Sequence, residues 1–182
     1  MKALYIRTAK TGSSSIVRWG QNYFSYTHNK ETLDSENNKT KLENHFKQNH
    51  FLFYSIRNPY DRAISCWQQC IASGWEEKDF TFDKFLNLDF DKIDNEHMLT
   101  HIQPLTEYLG TWIDKVDFVV RLENFEACLK RLAEHLEMPF KKVVHEYSGN
   151  YNKKQYANKY LNTLNKKKIE QKYLADFEYF GY

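Results

Sequence analysis

The strand-to-helix turn at residues 3–15 constrains this chain more than any other feature. Ala3-Leu4-Tyr5-Ile6 is a short apolar run of strand character that leads directly into Arg7-Thr8-Ala9-Lys10-Thr11-Gly12-Ser13-Ser14-Ser15, and a helix is expected from there to about residue 23. At such a turn backbone N–H groups and the positive end of a helix stabilise an anion. Lys10, Gly12 and the hydroxyls of Thr11, Ser13, Ser14 and Ser15 surround that position. The arrangement recurs further along. Phe51-Leu52-Phe53-Tyr54-Ser55-Ile56 is a continuous apolar run of the kind that forms a buried parallel strand, followed by Arg57-Asn58-Pro59-Tyr60-Asp61-Arg62-Ala63-Ile64-Ser65. Asn58 is placed to cap a helix whose first residue is Pro59 and which runs to about Ser73. Two such anion cradles in one small domain imply a ligand with two separated phosphates.

The first loop differs from the Walker A pattern, in which the lysine follows the second glycine of GxxxxGK[ST]. Here Lys10 precedes the loop's only glycine, which disfavours an ordinary P-loop ATPase or GTPase. Beyond the two turns, Val116–Arg121 forms a third strand and 123–136 an amphipathic helix with Phe125, Leu129, Leu132 and Leu136 on one face. Helices are also expected near 81–88, over 95–109 and over 162–179. The polar stretch from Ser25 to Lys41 suggests loop followed by a short helix, and 145–160 lacks periodicity. Strands alternating with helices give an α/β class, a parallel sheet covered on both faces with ligands at the carboxyl ends of its strands.

At 182 residues and 41% hydrophobic content the chain is expected to be one domain, 1–182, able to bury a core. A formal charge of +2 gives no general attraction to nucleic acid, and Lys166-Lys167-Lys168 has the character of a solvated helix face. No apolar stretch approaches the ~20 residues of a membrane span. Met1-Lys2 runs straight into strand without a signal-peptide pattern. Three cysteines fit a reducing compartment. The expectation is a cytoplasmic protein with no membrane and no nucleic-acid partner, its oligomeric state open.

The two loops together resemble the 5′-phosphosulfate and 3′-phosphate loops of sulfotransferases that use 3′-phosphoadenosine 5′-phosphosulfate (PAPS). The likeness is closest to the carbohydrate sulfotransferases, Golgi-type and bacterial, whose loops read like PKTGSTS and RNPYDRAVS. Ala9 stands where that family usually has proline, which loosens the turn but removes no phosphate-contacting group. Asp117–Phe125 is similar to the family's DFVGRLENF passage, Asp176–Tyr182 to its closing DxxxFGY, and Asn95-Glu96-His97 with Gln103-Pro104 to the segment before the third strand. The resemblance implies a three-layer P-loop-like fold, PAPS as donor, 3′-phosphoadenosine 5′-phosphate (PAP) as product, no required metal, and a hydroxyl-bearing acceptor, a glycan or small molecule.

Moving a sulfuryl group to a hydroxyl needs in-line attack, a base for the acceptor proton and positive charge at the departing phosphate oxygen. Lys10 is suited to the last task. The N–H groups of Gly12 to Ser15 and the hydroxyls of Thr11, Ser13, Ser14 and Ser15 would hold the 5′-phosphate and sulfuryl oxygens. Arg57 and Ser65 would hold the 3′-phosphate through charge-assisted hydrogen bonds, with Lys154 adding to it from a basic loop. Histidine is the natural base near neutral pH. In many sulfotransferases it follows a short strand after the first loop, a placement that Phe24-Ser25-Tyr26-Thr27-His28 matches. His28 is therefore the first candidate, with His97, His45 and Glu96 behind it.

Other readings stay open at this stage. Cys66 with Cys70, and His97 with His101, share i, i+4 spacing and would make a Cys2His2 zinc set if their helices face each other, although small buried cysteines usually pack. Arg62 could touch phosphate or pair with a carboxylate, and Arg121 and Glu123 could orient a ligand or form a salt bridge. Two other functions compete: a non-catalytic PAP-binding module, and a small-molecule kinase with an atypical phosphate loop.

Overall fold

The computed structural model describes the backbone of residues 2–28, 31–142 and 153–182, and their side chains except those of 153–155 and 157. Among the described residues four parallel strands form one sheet in the order β2-β1-β3-β4: β1 (Ala3–Ile6), β2 (Ser25–Tyr26), β3 (Phe51–Ile56) and β4 (Phe118–Arg121). The register sets Leu4 opposite both Ser25 and Leu52, and Phe53 opposite Phe118. Helices intervene as α1 (Ser13–Gly20), α2 (Glu36–Lys47), α3 (Pro59–Ala72), α4 (Phe82–Leu86), α5 (Glu96–Ile102), α6 (Leu105–Leu109) and α7 (Phe125–His135). After β4 and α7 come α8 (Lys153–Tyr160), α9 (Thr163–Lys172) and α10 (Leu174–Phe180).

The two-residue period of the strands sorts their side chains into two cores. Ala3, Tyr5, Phe53 and Val120 pack against Ile16 and Trp19 of α1 and Phe125, Leu129 and Leu132 of α7. Leu4, Ile6, Leu52, Tyr54 and Ile56 face the other way, onto Leu42 of α2, Leu105 and Leu109 of α6 and Phe180 of α10. Helix, sheet and helix thus make three layers. A third cluster joins Ile64, Trp67 and Cys70 of α3 to Phe82, Phe85, Met98, Ile102 and Ile169 beside the sheet.

The strand order places the topological switch between β1 and β3, where chain connections depart in opposite directions and a crevice opens at the carboxyl ends. Both anion loops leave the sheet there.

Several elements differ from expectation. The segment 95–109 is two helices, α5 and α6, because Pro104 cannot continue the first and becomes the cap of the second. The terminal segment is also two, α9 and α10, divided at Tyr173, whose buried hydroxyl donates to the Ile102 carbonyl at 2.7 Å. α2 starts at Glu36, within the stretch expected as loop, because Ser35 caps it by accepting from the Asn38 N–H. Helix α8 occupies the end of the aperiodic segment.

Candidate active site

The first loop is built so that its chain folds back on itself. Lys10 (φ 62°) and Gly12 (φ 81°) both take the left-handed backbone conformation, which permits the sharp turn between β1 and α1. A Cβ on Gly12 would come 2.7 Å from Leu122 Cδ1. No side chain caps the N-terminus of α1, and its first turn carries no acidic residue, so its positive end remains available to an anion. Ala9 is buried, and its carbonyl accepts from Arg62 Nε at 3.3 Å. Arg62 thereby braces the turn.

A buried hydroxyl cluster joins the two loops. Ser55 Oγ, on β3, lies 2.5 Å from the Tyr5 hydroxyl, 2.6 Å from Thr11 Oγ1 and 3.1 Å from Thr8 Oγ1. Thr8 Oγ1 donates to the Ser55 carbonyl at 2.5 Å, and Thr11 Oγ1 donates to the Thr8 carbonyl at 3.0 Å. Burial raises the Tyr5 pKa to about 12, so the cluster is uncharged. The Thr11 hydroxyl therefore points inward, and what Thr11 presents to the loop mouth is backbone. Ser13 and Ser15 are also buried, whereas Ser14 is half-buried with its Oγ 3.4 Å from Arg7 Nη2.

The second loop differs from the cradle expected of it. Asn58 caps α3 by accepting from the Tyr60 N–H at 3.0 Å, the Asn58 N–H donates to Glu123 Oε1 at 2.6 Å, and Asp61 sits in the first turn. The helix end is thus already satisfied and flanked by carboxylates. What it offers an anion is side chains: half-buried Arg57, whose Nη1 reaches the Lys10 carbonyl at 3.4 Å, and half-buried Ser65 two turns along α3. Lys10 Nζ crosses in the other direction and donates to Gln69 Oε1 at 2.7 Å, one turn beyond Ser65. Lys10, Arg57 and Ser65 are thereby brought to one seam between the loops.

Arg62 is fully buried. Its Nη2 donates to the carbonyls of Gln103 at 2.8 Å and His101 at 3.4 Å, and its Nη1 lies 3.8 Å from Asp176 Oδ2. Its role is to tie α3 to α5 and α10. Arg121 and Glu123 do not pair with each other. Arg121 Nη2 donates to the Phe180 carbonyl at 2.6 Å, and the Tyr182 hydroxyl donates to Glu123 Oε2 at 2.9 Å, so both fix the chain's last residues near the second loop.

The candidate bases separate by position. His28 is exposed just after β2, at the carboxyl end of the sheet; Asn38 accepts from its N–H at 2.9 Å and donates to its carbonyl at 2.8 Å. Thr27 connects this segment to the first loop, its Oγ1 accepting from the Arg7 N–H at 2.9 Å. Glu96 Oε1 accepts from the Thr32 N–H at 3.2 Å, which places the start of α5 beside the same segment. His97 packs its ring against Trp75 and His101, at centroid distances of 4.9 and 4.8 Å. His45 lies at the opposite end of the sheet, its Nδ1 3.1 Å from that of His50, the residue before β3. A six-residue strand, about 20 Å, separates it from the loops. A cleft of about 1090 Å³ lined by Tyr23, Asn44, His45 and His50 opens at that same far end and includes neither anion loop.

His101 Nδ1 lies 2.9 Å from the His97 carbonyl, and burial pulls its pKa down to about 4. The imidazole is therefore neutral with its proton on Nδ1. Cys66 donates to the His101 carbonyl at 3.1 Å, and burial raises the Cys66 and Cys70 thiols above their usual values. The four residues of the zinc alternative do adjoin one another, but as a packed cluster in which the Cys66 and Cys70 thiols and the His101 imidazole are neutral. Among the described residues no group of three or more His, Cys, Asp or Glu is placed to hold a metal ion. Lys154 belongs to α8 by its backbone, and its side chain lies outside the described residues.

Two residues without an assigned role in the sequence reading stand out in this geometry. Arg7 Nε is buried with no hydrogen-bond partner, next to Ser14 at the loop mouth, and Gln69 holds Lys10. Arg7 belonged to the first motif and offered a charge that sequence reasoning could have weighed. Gln69 lies 59 residues from Lys10, with no local pattern to connect them.

The sequence model of the sulfotransferase family matches residues 2–182. No curated protein and no solved structure matches the chain.

Proposed function

The chain belongs to the sulfotransferase family, and from that premise we propose that it transfers the sulfuryl group of PAPS to a hydroxyl of a carbohydrate acceptor. The observation that carries this reading is the convergence of the two loops. Arg57 of the second bonds the Lys10 carbonyl of the first, while Lys10 reaches α3 one turn from Ser65. A ligand held there meets the open end of α1 with one anionic group and Arg57 with another, as a nucleotide phosphorylated at both 3′ and 5′ positions requires.

PAPS supplies an activated sulfuryl group on a phosphate leaving group. The N–H groups at the start of α1, with Ser14 and Arg7, would bind the 5′-phosphate and sulfuryl oxygens, and Arg57 and Ser65 the 3′-phosphate, joined by Lys154. His28 takes the acceptor proton as the acceptor oxygen bonds sulfur and the bond from sulfur to the bridging oxygen breaks. Lys10 stabilises the charge that develops on that oxygen. No covalent enzyme intermediate is needed.

Among the described residues no helix is long and apolar enough to cross a membrane. The free thiols of Cys66, Cys70 and Cys128 support placing the protein in the cytoplasm.

The test is transfer of radioactive sulfate from labelled PAPS to a panel of oligosaccharides. The reading predicts label in a saccharide without added divalent metal. Metal-dependent phosphoryl transfer from ATP in its place would support the kinase alternative, and PAP binding without transfer to any hydroxyl compound the non-catalytic one.

A further inference from the structure

We propose that Gln69 is the positioning residue of Lys10, its side-chain oxygen fixing the ammonium at the seam between the first anion loop and α3. The inference rests on Lys10 acting at the departing phosphate oxygen. The left-handed backbone at Lys10 (φ 62°) turns the side chain back toward α3. There Nζ donates to Gln69 Oε1 at 2.7 Å. The amide is itself oriented: Gln69 Nε2 donates to Ser73 Oγ at 2.5 Å, at the C-cap of α3, which leaves Oε1 for the lysine.

The surroundings make this one neutral acceptor matter. Arg57 at the second loop and Arg62 on α3 are both close enough to disfavour a further positive charge. Its other titratable neighbours among the described residues include Cys66 and Cys70 on α3 and His101 on α5. All three are neutral, the thiols because burial holds their protons and the imidazole because burial keeps it uncharged. Among the described residues no carboxylate pairs with Lys10, and burial lowers its proton affinity. The lysine thus carries an unbalanced charge suited to an incoming anion. Gln69 supplies an acceptor that favours the charged form without the competition a carboxylate would bring.

Lys10 is titrated in the whole protein by brief acetylation with acetic anhydride from pH 7 to pH 11, with mass spectrometry of the peptide that contains it. Wild type is compared with Gln69→Ala and the nearly isosteric Gln69→Glu. Proton affinity at Lys10 is expected to fall about threefold or more in the alanine variant and to rise in the glutamate variant. With PAPS and acceptor, the alkaline limb of kcat should move in the same directions. Gln69→Ala should lower kcat about tenfold while KM for PAPS stays within about twofold. Gln69→Glu should raise that KM, because its carboxylate competes for the ammonium. Coincident acetylation curves for all three proteins would overturn the assignment. Failure of wild type to bind PAP would overturn the functional reading, and the acetylation curves would still decide whether Gln69 sets the state of Lys10.

Discussion

Thr11 Oγ1 lies 2.6 Å from Ser55 Oγ, so the loop that follows β1 is joined through buried hydroxyls to the strand that carries the second loop. Tyr5 and Thr8 complete the cluster. In the proposed function the two ends of a doubly phosphorylated ligand would be referred to one rigid frame, a form of preorganisation that lowers the cost of binding.

Ser55→Ala removes the hydroxyl shared by Tyr5, Thr8 and Thr11 and leaves buried polar groups short of a partner. A loss of about 1–3 kcal/mol is expected in urea unfolding, with weaker PAP binding alongside it. A loss under about 0.5 kcal/mol, the size of an ordinary surface change, would show that the cluster does not hold the loops together.

Gly12→Ala places a side chain at φ 81°, with its Cβ against Leu122. The leucine can move aside, so most of the cost comes from the left-handed conformation, about 1–2 kcal/mol. Denaturant unfolding should register that loss, and calorimetry a fall in PAP affinity as the turn relaxes. Wild-type values in both would mean that the turn tolerates a side chain.

His28→Ala should reduce turnover by about 10²–10⁴-fold, the range for loss of a general base, while nucleotide affinity is retained. His45→Ala, at the far end of the sheet, should leave turnover within about twofold of wild type. Near-normal activity in the His28 variant would transfer the role to Glu96 or His97.

Folding depends on pH through His101. Its folded pKa of about 4 lies below the ordinary 6.5 because of burial. Between those values the unfolded chain binds the proton that the folded chain refuses, so stability falls as pH drops from 6.5 toward 4 and is unaffected by this residue above 6.5. The loss approaches about 3 kcal/mol when the window is fully crossed. Urea unfolding of wild type and His101→Gln at pH 7 and pH 4.5 measures it. The variant should lose less stability than wild type, and parallel losses would contradict the assignment.

Much of this was legible in the sequence because it is locally encoded. The strands at 3–6, 51–56 and 118–121 are short apolar runs whose neighbours pack on both faces, and Asn58-Pro59 marked the start of α3 in the ordinary way. Pairings between distant residues were not legible. The inward turn of Thr11 depends on Ser55, the capture of the Asn58 N–H depends on Glu123, and the full burial of Arg62 depends on Asp176 and two α5-end carbonyls. The separation of α9 from α10 at Tyr173 depends on a hydrogen bond to Ile102, 71 residues away.

The most direct test of the central claim is calorimetric titration with PAP, beside ATP and adenosine 5′-phosphosulfate, on wild type and Arg57→Ala. The account predicts that PAP binds far more tightly than either ligand lacking the 3′-phosphate, and that Arg57→Ala abolishes the difference. Equal or tighter binding of ATP would contradict it.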